Sequence, residues 1–157
     1  MQKIAPCLWF DGKAEEAMHF YTSIFRNSKV GDVTRYTEAG PGEKGSVLAV
    51  TFEIEGREFI GLNGGPNFKF SPAISFSVKC ETQEEVDYYW GKLLAGGQPQ
   101  QCGWLTDKFG VSWQIVPTVL VEMLKDKDAE RANRVMQAML KMVKLDIKVL
   151  KQAYEQG

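Results

Sequence analysis

The feature that most constrains this chain is an order of elements that occurs twice. Lys3 to Phe10 reads as a strand, and Asp11-Gly12 breaks it. A helix follows, because Ala14, Ala17, Met18, Tyr21, Ile24 and Phe25 recur at helical spacing. Glu15 and Glu16 stand in its first turn, where the helix dipole favours carboxylates. Val30 to Thr37 and Ser46 to Ile54 are predicted strands, and Glu55-Gly56 is a hairpin turn into Arg57 to Leu62. In the second strand of that set Leu48, Val50, Phe52 and Ile54 share one face. After a linker-like stretch, 63–72, the order begins again. Ala73 to Cys80 alternates, Thr82 and Glu85 make a capping box, and Val86, Tyr89, Trp90, Leu93 and Leu94 form a helical stripe that Gly96-Gly97 stops. Short strands follow within 98–106 and 111–116. The repeat lies in the order of elements and barely in residue identity. The fold class is therefore α+β.

Size and charge narrow the function classes. The chain has 157 residues, 44% of them hydrophobic, which is enough for a real core. Its net charge of −1 gives no electrostatic reason to expect nucleic acid or an anionic membrane as a partner. Met1 to Phe10 is too short for a signal peptide and is interrupted by Asp11, and no apolar run is long enough to span a bilayer. Cys7, Cys80 and Cys102 fit no zinc motif and cannot all pair. A reducing, cytoplasmic setting is the expectation, with Cys7 and Cys80 as core residues of their strands and Cys102 as an ordinary, at least partly buried thiol.

The most informative local stretch runs from Cys102 to Pro117. Two β-type runs flank a turn, where Asp107 is expected to bond its own backbone and Gly110 to take a positive φ. In the second run Gln114 faces opposite to Trp113. An amide placed so either lines a ligand cavity or bonds backbone groups at the strand end. Asn63, beside Gly64-Gly65, has the same two readings, with turn formation the better. His19, the one histidine, lies off the stripe of its helix and reads as a surface residue rather than a general base.

Several other patterns resolve without chemistry. Gly40 to Ser46 lacks the Gly-Lys-Ser/Thr order of a phosphate loop and precedes a strand, although the loop 38–45 is a candidate lid. No G-x-G-x-x-G opens a helix after a strand, which argues against a dinucleotide-type methyltransferase or dehydrogenase. Lys141, Lys144, Lys148 and Lys151 read as a solvated helix face. In the same tail, Ala132, Val135, Met136, Met139, Val143, Ile147, Leu150 and Tyr154 form an apolar face that must be buried on its own domain or on a partner, and Asp146 is placed to cap a separate last helix.

The chain resembles the vicinal oxygen chelate (glyoxalase/bleomycin-resistance) superfamily, and more narrowly its PhnB-like branch. The residues that carry the resemblance are Leu8-Trp9-Phe10-Asp11-Gly12 with Ala14 to Ala17 and Phe20-Tyr21, then Leu62 to Gly65, Glu84 to Asp87 with Trp90, and Cys102 through Pro117. The tail from Met136 to Tyr154 also resembles that branch. The resemblance implies a glyoxalase-like fold: two βαβββ modules, 1–65 and 66–118, forming a concave pocket, with C-terminal helices over 119–157. It also implies a homodimer, sometimes with modules exchanged between chains. The label 3-demethylubiquinone 3-methyltransferase, often given to the branch, does not carry its activity to this chain.

Metal-dependent relatives hold a divalent ion with side chains from four strands. Carried over by spacing, those positions fall near Pro6 and Ala73, which have no ligand atom in the side chain, and at Gln114, a neutral amide. The expectation is therefore no tightly bound metal and no other cofactor. The pocket is expected to take a small polar ligand with carbonyl, amide or phosphonate groups, contacted by Asn63, Gln114, Trp104, Asp107, Leu8 and Ser75. The alternatives are a metal-dependent lyase, isomerase or dioxygenase, and a non-catalytic structural or regulatory dimer whose pocket is filled by Trp9, Trp104, Trp113 and Phe76.

Overall fold

A computed structural model describes residues 2–156. The chain divides into two compact units, the first ending at Phe70 and the second beginning at Ser71.

The first unit is a four-stranded mixed sheet with one helix. Its strands are β1 (Cys7–Phe10), β2 (Ser28–Arg35), β3 (Val47–Ile54) and β4 (Arg57–Asn63), in the order β1-β4-β3-β2, and its helix is α1 (Ala14–Ile24). β1 runs parallel to β4, and the remaining neighbours are antiparallel. One face carries Leu8, Phe10, Val50, Phe52, Ile54 and Phe59 against the buried stripe Ala14, Ala17, Met18, Tyr21 and Ile24 of α1. Gly61 marks the closest approach, since a Cβ there would lie 3.0 Å from Val50 and 3.3 Å from the Cβ of Ala14. Tyr21 stacks on Phe52, and Phe52 on Phe59. The expected grouping of Val50, Phe52 and Ile54 is thus the core face.

Period 2 also explains a correction. Cys7 is exposed, not a core residue, because Leu8 and Phe10 take the helix side of β1 and leave Cys7 and Trp9 on the other. Cys80 is fully buried, as expected of a core strand residue.

The second unit repeats the plan. Its strands are β5 (Ser75–Cys80), β6 (Gln98–Pro99), β7 (Trp104–Thr106) and β8 (Ser112–Pro117), in the order β5-β8-β7-β6, with β5 parallel to β8. Helix α2 (Gln83–Leu94) packs Val86, Trp90 and Leu93 over the sheet face that carries Leu105, Trp113 and Ile115. Thr82 caps α2 by accepting from the Glu85 N–H at 3.2 Å, while the Glu85 carboxylate reaches back to the Glu81 N–H at 2.9 Å, so the capping pattern closes one residue upstream of the usual place.

The tail adds α3 (Thr118–Leu124), α4 (Ala129–Leu140) and α5 (Ile147–Glu155). Asp146 caps α5 through the Val149 N–H. Only part of the predicted apolar face is buried. Val135 and Leu150 join Leu120, Met123 and Leu145 in a local core, whereas Met136 and Val143 of that face remain exposed, as do Leu140 and Val149 outside it. None of the described helices is long and apolar enough to cross a membrane.

Candidate functional site

The six residues singled out for ligand contact separate into two groups. Ser75, Trp104 and Gln114 stand together on the face of the second sheet opposite α2. Strand register sets this: Gln114 pairs with Trp104 across β7–β8 and with Ser77 across β5–β8. The Gln114 amide nitrogen donates to Ser75 Oγ at 3.0 Å. Its Oε1 takes no protein donor, and it is accessible, since no buried side-chain oxygen or nitrogen among the described residues lacks a partner. Half-buried Trp104 beside it supplies an aromatic wall. The arrangement offers one orientated acceptor, one serine hydroxyl and an apolar surface.

Leu8, Asn63 and Asp107 have structural partners instead. Leu8 is buried on the α1 side of the first sheet. Asn63 Oδ1 accepts the Ala14 N–H at 2.9 Å, its Nδ2 donates to Val47 O at 3.1 Å, and its carbonyl accepts the Tyr36 hydroxyl at 2.6 Å. It therefore caps α1 and ties four segments together. Asp107 is 3% exposed. Its Oδ1 accepts the N–H groups of Phe109 and Val111 at 2.9 and 3.0 Å, and its Oδ2 accepts the Trp113 indole N–H at 2.9 Å. Gly110 takes φ +93°, as the turn chemistry requires. The carboxylate organises the turn and orients Trp113 toward the core, leaving Gln114 on the opposite face.

A cleft of about 410 Å³ opens in the first unit between Gly12 and Glu15, the loop with Pro41 and Gly42, and the Asn63–Gly65 turn. The candidate lid loop lines it, packing Gly40 and Gly42 on the Tyr36 ring. Glu15, Tyr36, Ser46 and Asn63 are the polar side chains of its lining. Asn63, its central polar side chain, is already committed at both ends. The Tyr36 and Ser46 hydroxyls donate to Asn63 O and Glu43 O, which leaves the Glu15 carboxylate as the polar group of the cleft, whereas the open amide oxygen of Gln114 belongs to the second unit.

The donor set does not suit a divalent metal. Among the described residues no three His, Cys, Asp or Glu side chains converge. Pro6 contributes only its carbonyl, which accepts the Ile60 N–H at 2.9 Å in the sheet. His19 is exposed on α1. A neutral amide and serine hydroxyls are weak ligands for the ions that histidine and carboxylate sites hold.

The cysteines differ in reactivity. Burial pushes the Cys80 thiol up to about 12, with the Glu85 carboxylate adding to the rise, and partial burial raises Cys7 as well. Cys102 is half-buried, as expected, and its backbone sits at φ +60°.

The sequence matches the family model of 3-demethylubiquinone-9 3-methyltransferase over residues 2–116. A PhnB protein from Bacillus cereus, described as a 3-demethylubiquinone-9 3-methyltransferase, is 44% identical, with a TM-score of 0.68, and the alignment covers 74% of this chain and 100% of that one. This chain belongs to that family. It is PhnB-like, with the glyoxalase-like α+β fold. Two more distant structures share the fold: a Pseudomonas aeruginosa protein (17% identity, TM-score 0.62, covering 74% of this chain and 98% of that one) and the fosfomycin resistance protein FosX from Listeria monocytogenes, solved with Mn(II) and sulfate (17%, TM-score 0.54, 80% and 98%). No curated protein matches the sequence. The PhnB-like match stops at Val116, so the tail, which also resembled that branch by sequence, lies outside it.

Two features of the site escape sequence reading. Asn63 reaches partners 16, 27 and 49 residues away, and Gln83 bridges to the tail across 62 and 64 residues. No local pattern signals either one.

Proposed function

We propose that this PhnB-like protein binds a small polar molecule on the α2-free face of its second sheet, through Gln114, Ser75 and Trp104, without a tightly held catalytic metal. The observation that carries the reading is the Gln114 amide, orientated by Ser75 while its Oε1 remains free. A ligand that donates an N–H or O–H to that oxygen, accepts from the serine and lays an apolar part on the indole would use every group present. The donor chemistry described above supports the metal-free part. Methyl transfer is left out of the proposal. The turn from β1 to α1 is Asp11-Gly12-Lys13, and the sheets are mixed, so neither unit has the glycine-rich strand-to-helix turn that cradles a nucleotide-like cofactor in a doubly wound fold.

The proposed partner is a second copy of the chain. Ile4, Ile74 and Phe68 are exposed at 84, 75 and 66%, apolar side chains that a second copy could cover. The proposed compartment is the reducing cytoplasm, supported by three free cysteines.

The test is a thermal-shift titration with N-methylacetamide and methylphosphonate as minimal probes, followed by a metabolite series, on the wild type and on Gln114→Ala. Stabilisation that disappears in Gln114→Ala supports the reading. Stabilisation that persists in that variant, or arises only with added Ni²⁺, Zn²⁺ or Fe²⁺, overturns it.

A further inference from the structure

Residues 117–157 lie beyond the family match, and about a quarter of this chain has no counterpart in the B. cereus structure that it covers completely. We infer that this tail is a clamp on the Cys102–Gly103–Trp104 turn, and that it fixes where Trp104 stands beside Gln114. The inference rests on the reading of that face as the binding face.

Two backbone bonds join turn and tail. The Cys102 N–H donates to Met142 O at 2.9 Å, and the Gly103 N–H donates to Val143 O at 2.7 Å. From the other side, the Ile115 N–H donates to Gly103 O at 2.8 Å. Gly103 is thus gripped between β8 and the tail. A Cβ at this position would lie 2.8 Å from Leu145 Cδ1 and 2.9 Å from Ile115 O, and its φ is +83°. Cys102 next to it holds φ +60°, a region that a non-glycine residue keeps only when its surroundings enforce it. The tail supplies that enforcement.

The clamp is anchored in turn to α2. Gln83 forks onto the tail backbone: its Nε2 donates to Leu145 O at 3.1 Å, and its Oε1 accepts the Ile147 N–H at 2.8 Å. Lys144 pairs with Asp87 at 2.8 Å. Leu145, 1% exposed, belongs both to the tail core and to the wall against Gly103. The fold of the tail and the geometry of the turn are therefore coupled through the Leu145 side chain as well as through the two backbone bonds. Trp104 is the next residue in the chain and the register partner of Gln114. Gln83, Lys144 and Leu145 are positioning residues for it.

The experiment uses the full chain, free of ligand, labelled with 5-fluorotryptophan and read by ¹⁹F NMR, with the four indole signals assigned by Trp→Phe substitutions. Gln83→Ala combined with Lys144→Ala weakens the anchor and leaves the apolar core of the tail intact. The Trp104 signal is expected to shift or split, while Trp9 and Trp113, held by Gly65 O and Asp107, stay in place. The Cys102 and Gly103 amides should exchange roughly tenfold faster, without a matching change in the β3 amides of the first unit. Should the double variant unfold, Gln83→Glu carries the test, because it keeps the acceptor for Ile147 and removes the donor to Leu145 together with the one to Asp87. An unmoved Trp104 signal in a folded variant overturns the clamp and leaves the binding face untouched. A Trp104 that responds, alongside probe binding indifferent to Gln114→Ala, upholds the clamp and rejects the binding face.

Discussion

Replacing Asp107 by alanine is the sharpest test of how this site is built. The carboxylate is almost fully buried and accepts from two backbone N–H groups and from the Trp113 indole. Alanine leaves those donors without their acceptor. The Val111 amide and the indole lie in buried surroundings, so each costs about 1–3 kcal/mol. The Phe109 amide is only partly buried and adds less. The expected loss is about 3–5 kcal/mol, a large part of the stability of a domain of this size. Urea unfolding followed by tryptophan fluorescence reads it as a lower midpoint at unchanged slope. Asp107→Asn should cost less than alanine, because one oxygen remains, but it must point an N–H at a donor. A cycle with Trp113→Phe separates the indole contribution: without the indole, Asp107→Ala should cost about 1–2 kcal/mol less. A loss below about 0.5 kcal/mol for Asp107→Ala would refute the claim that this carboxylate orients the strand carrying Gln114.

Other outcomes follow from the same contacts. Asn63→Ala removes the cap of α1 together with the tie to Val47 and should lower stability by about 1–2 kcal/mol, measured by chemical denaturation. Under native conditions at pH 8 a thiol reagent should modify Cys7 well before Cys80, whose thiol is buried and stays protonated; equal rates would contradict the assignment. The carboxyls of Asp87 and Asp126 are held below the usual range, the first by hydrogen bonds from Lys144 and then Gln83, the second by the Tyr154 hydroxyl and then the Asp128 N–H. A folded-state value below the unfolded one stabilises above the unfolded value and is lost as pH falls through the folded one. The tail should therefore loosen on acidification below about pH 3.9, visible as faster amide exchange in α4 and α5 before the sheets respond.

Much of the fold is legible wherever period and turn chemistry are local. The stripe from Ala14 to Ile24, the Thr82 cap, the Asp107–Gly110 turn and the opposition of Trp113 and Gln114 all follow from spacings of a few residues. Exposure of Cys7 is not legible, because a four-residue strand does not declare which face its helix will cover. The separate roles of Asn63 and Gln114 are not legible either. Both are amides in strands, and only register and long-range partners show one committed to the scaffold and the other with an open oxygen. The apolar face of the tail is legible, as is its division at Asp146, but which of its residues are covered is not: Val135 and Leu150 are buried while Met136 and Val143 stay exposed, and the break at 141–146 bonds back to α2.

The face bearing Gln114, Ser75 and Trp104 is proposed to receive a polar ligand with no metal between them. The most direct measurement is a ¹H–¹⁵N NMR titration of chelator-treated, full-length protein with N-methylacetamide and methylphosphonate, side-chain amides included. Saturable shifts are expected, centred on the Gln114 side-chain amide, Ser75 and the Trp104 indole. Shifts confined to the Glu15–Gly42 cleft of the first unit, or none until a divalent ion is restored, would contradict it.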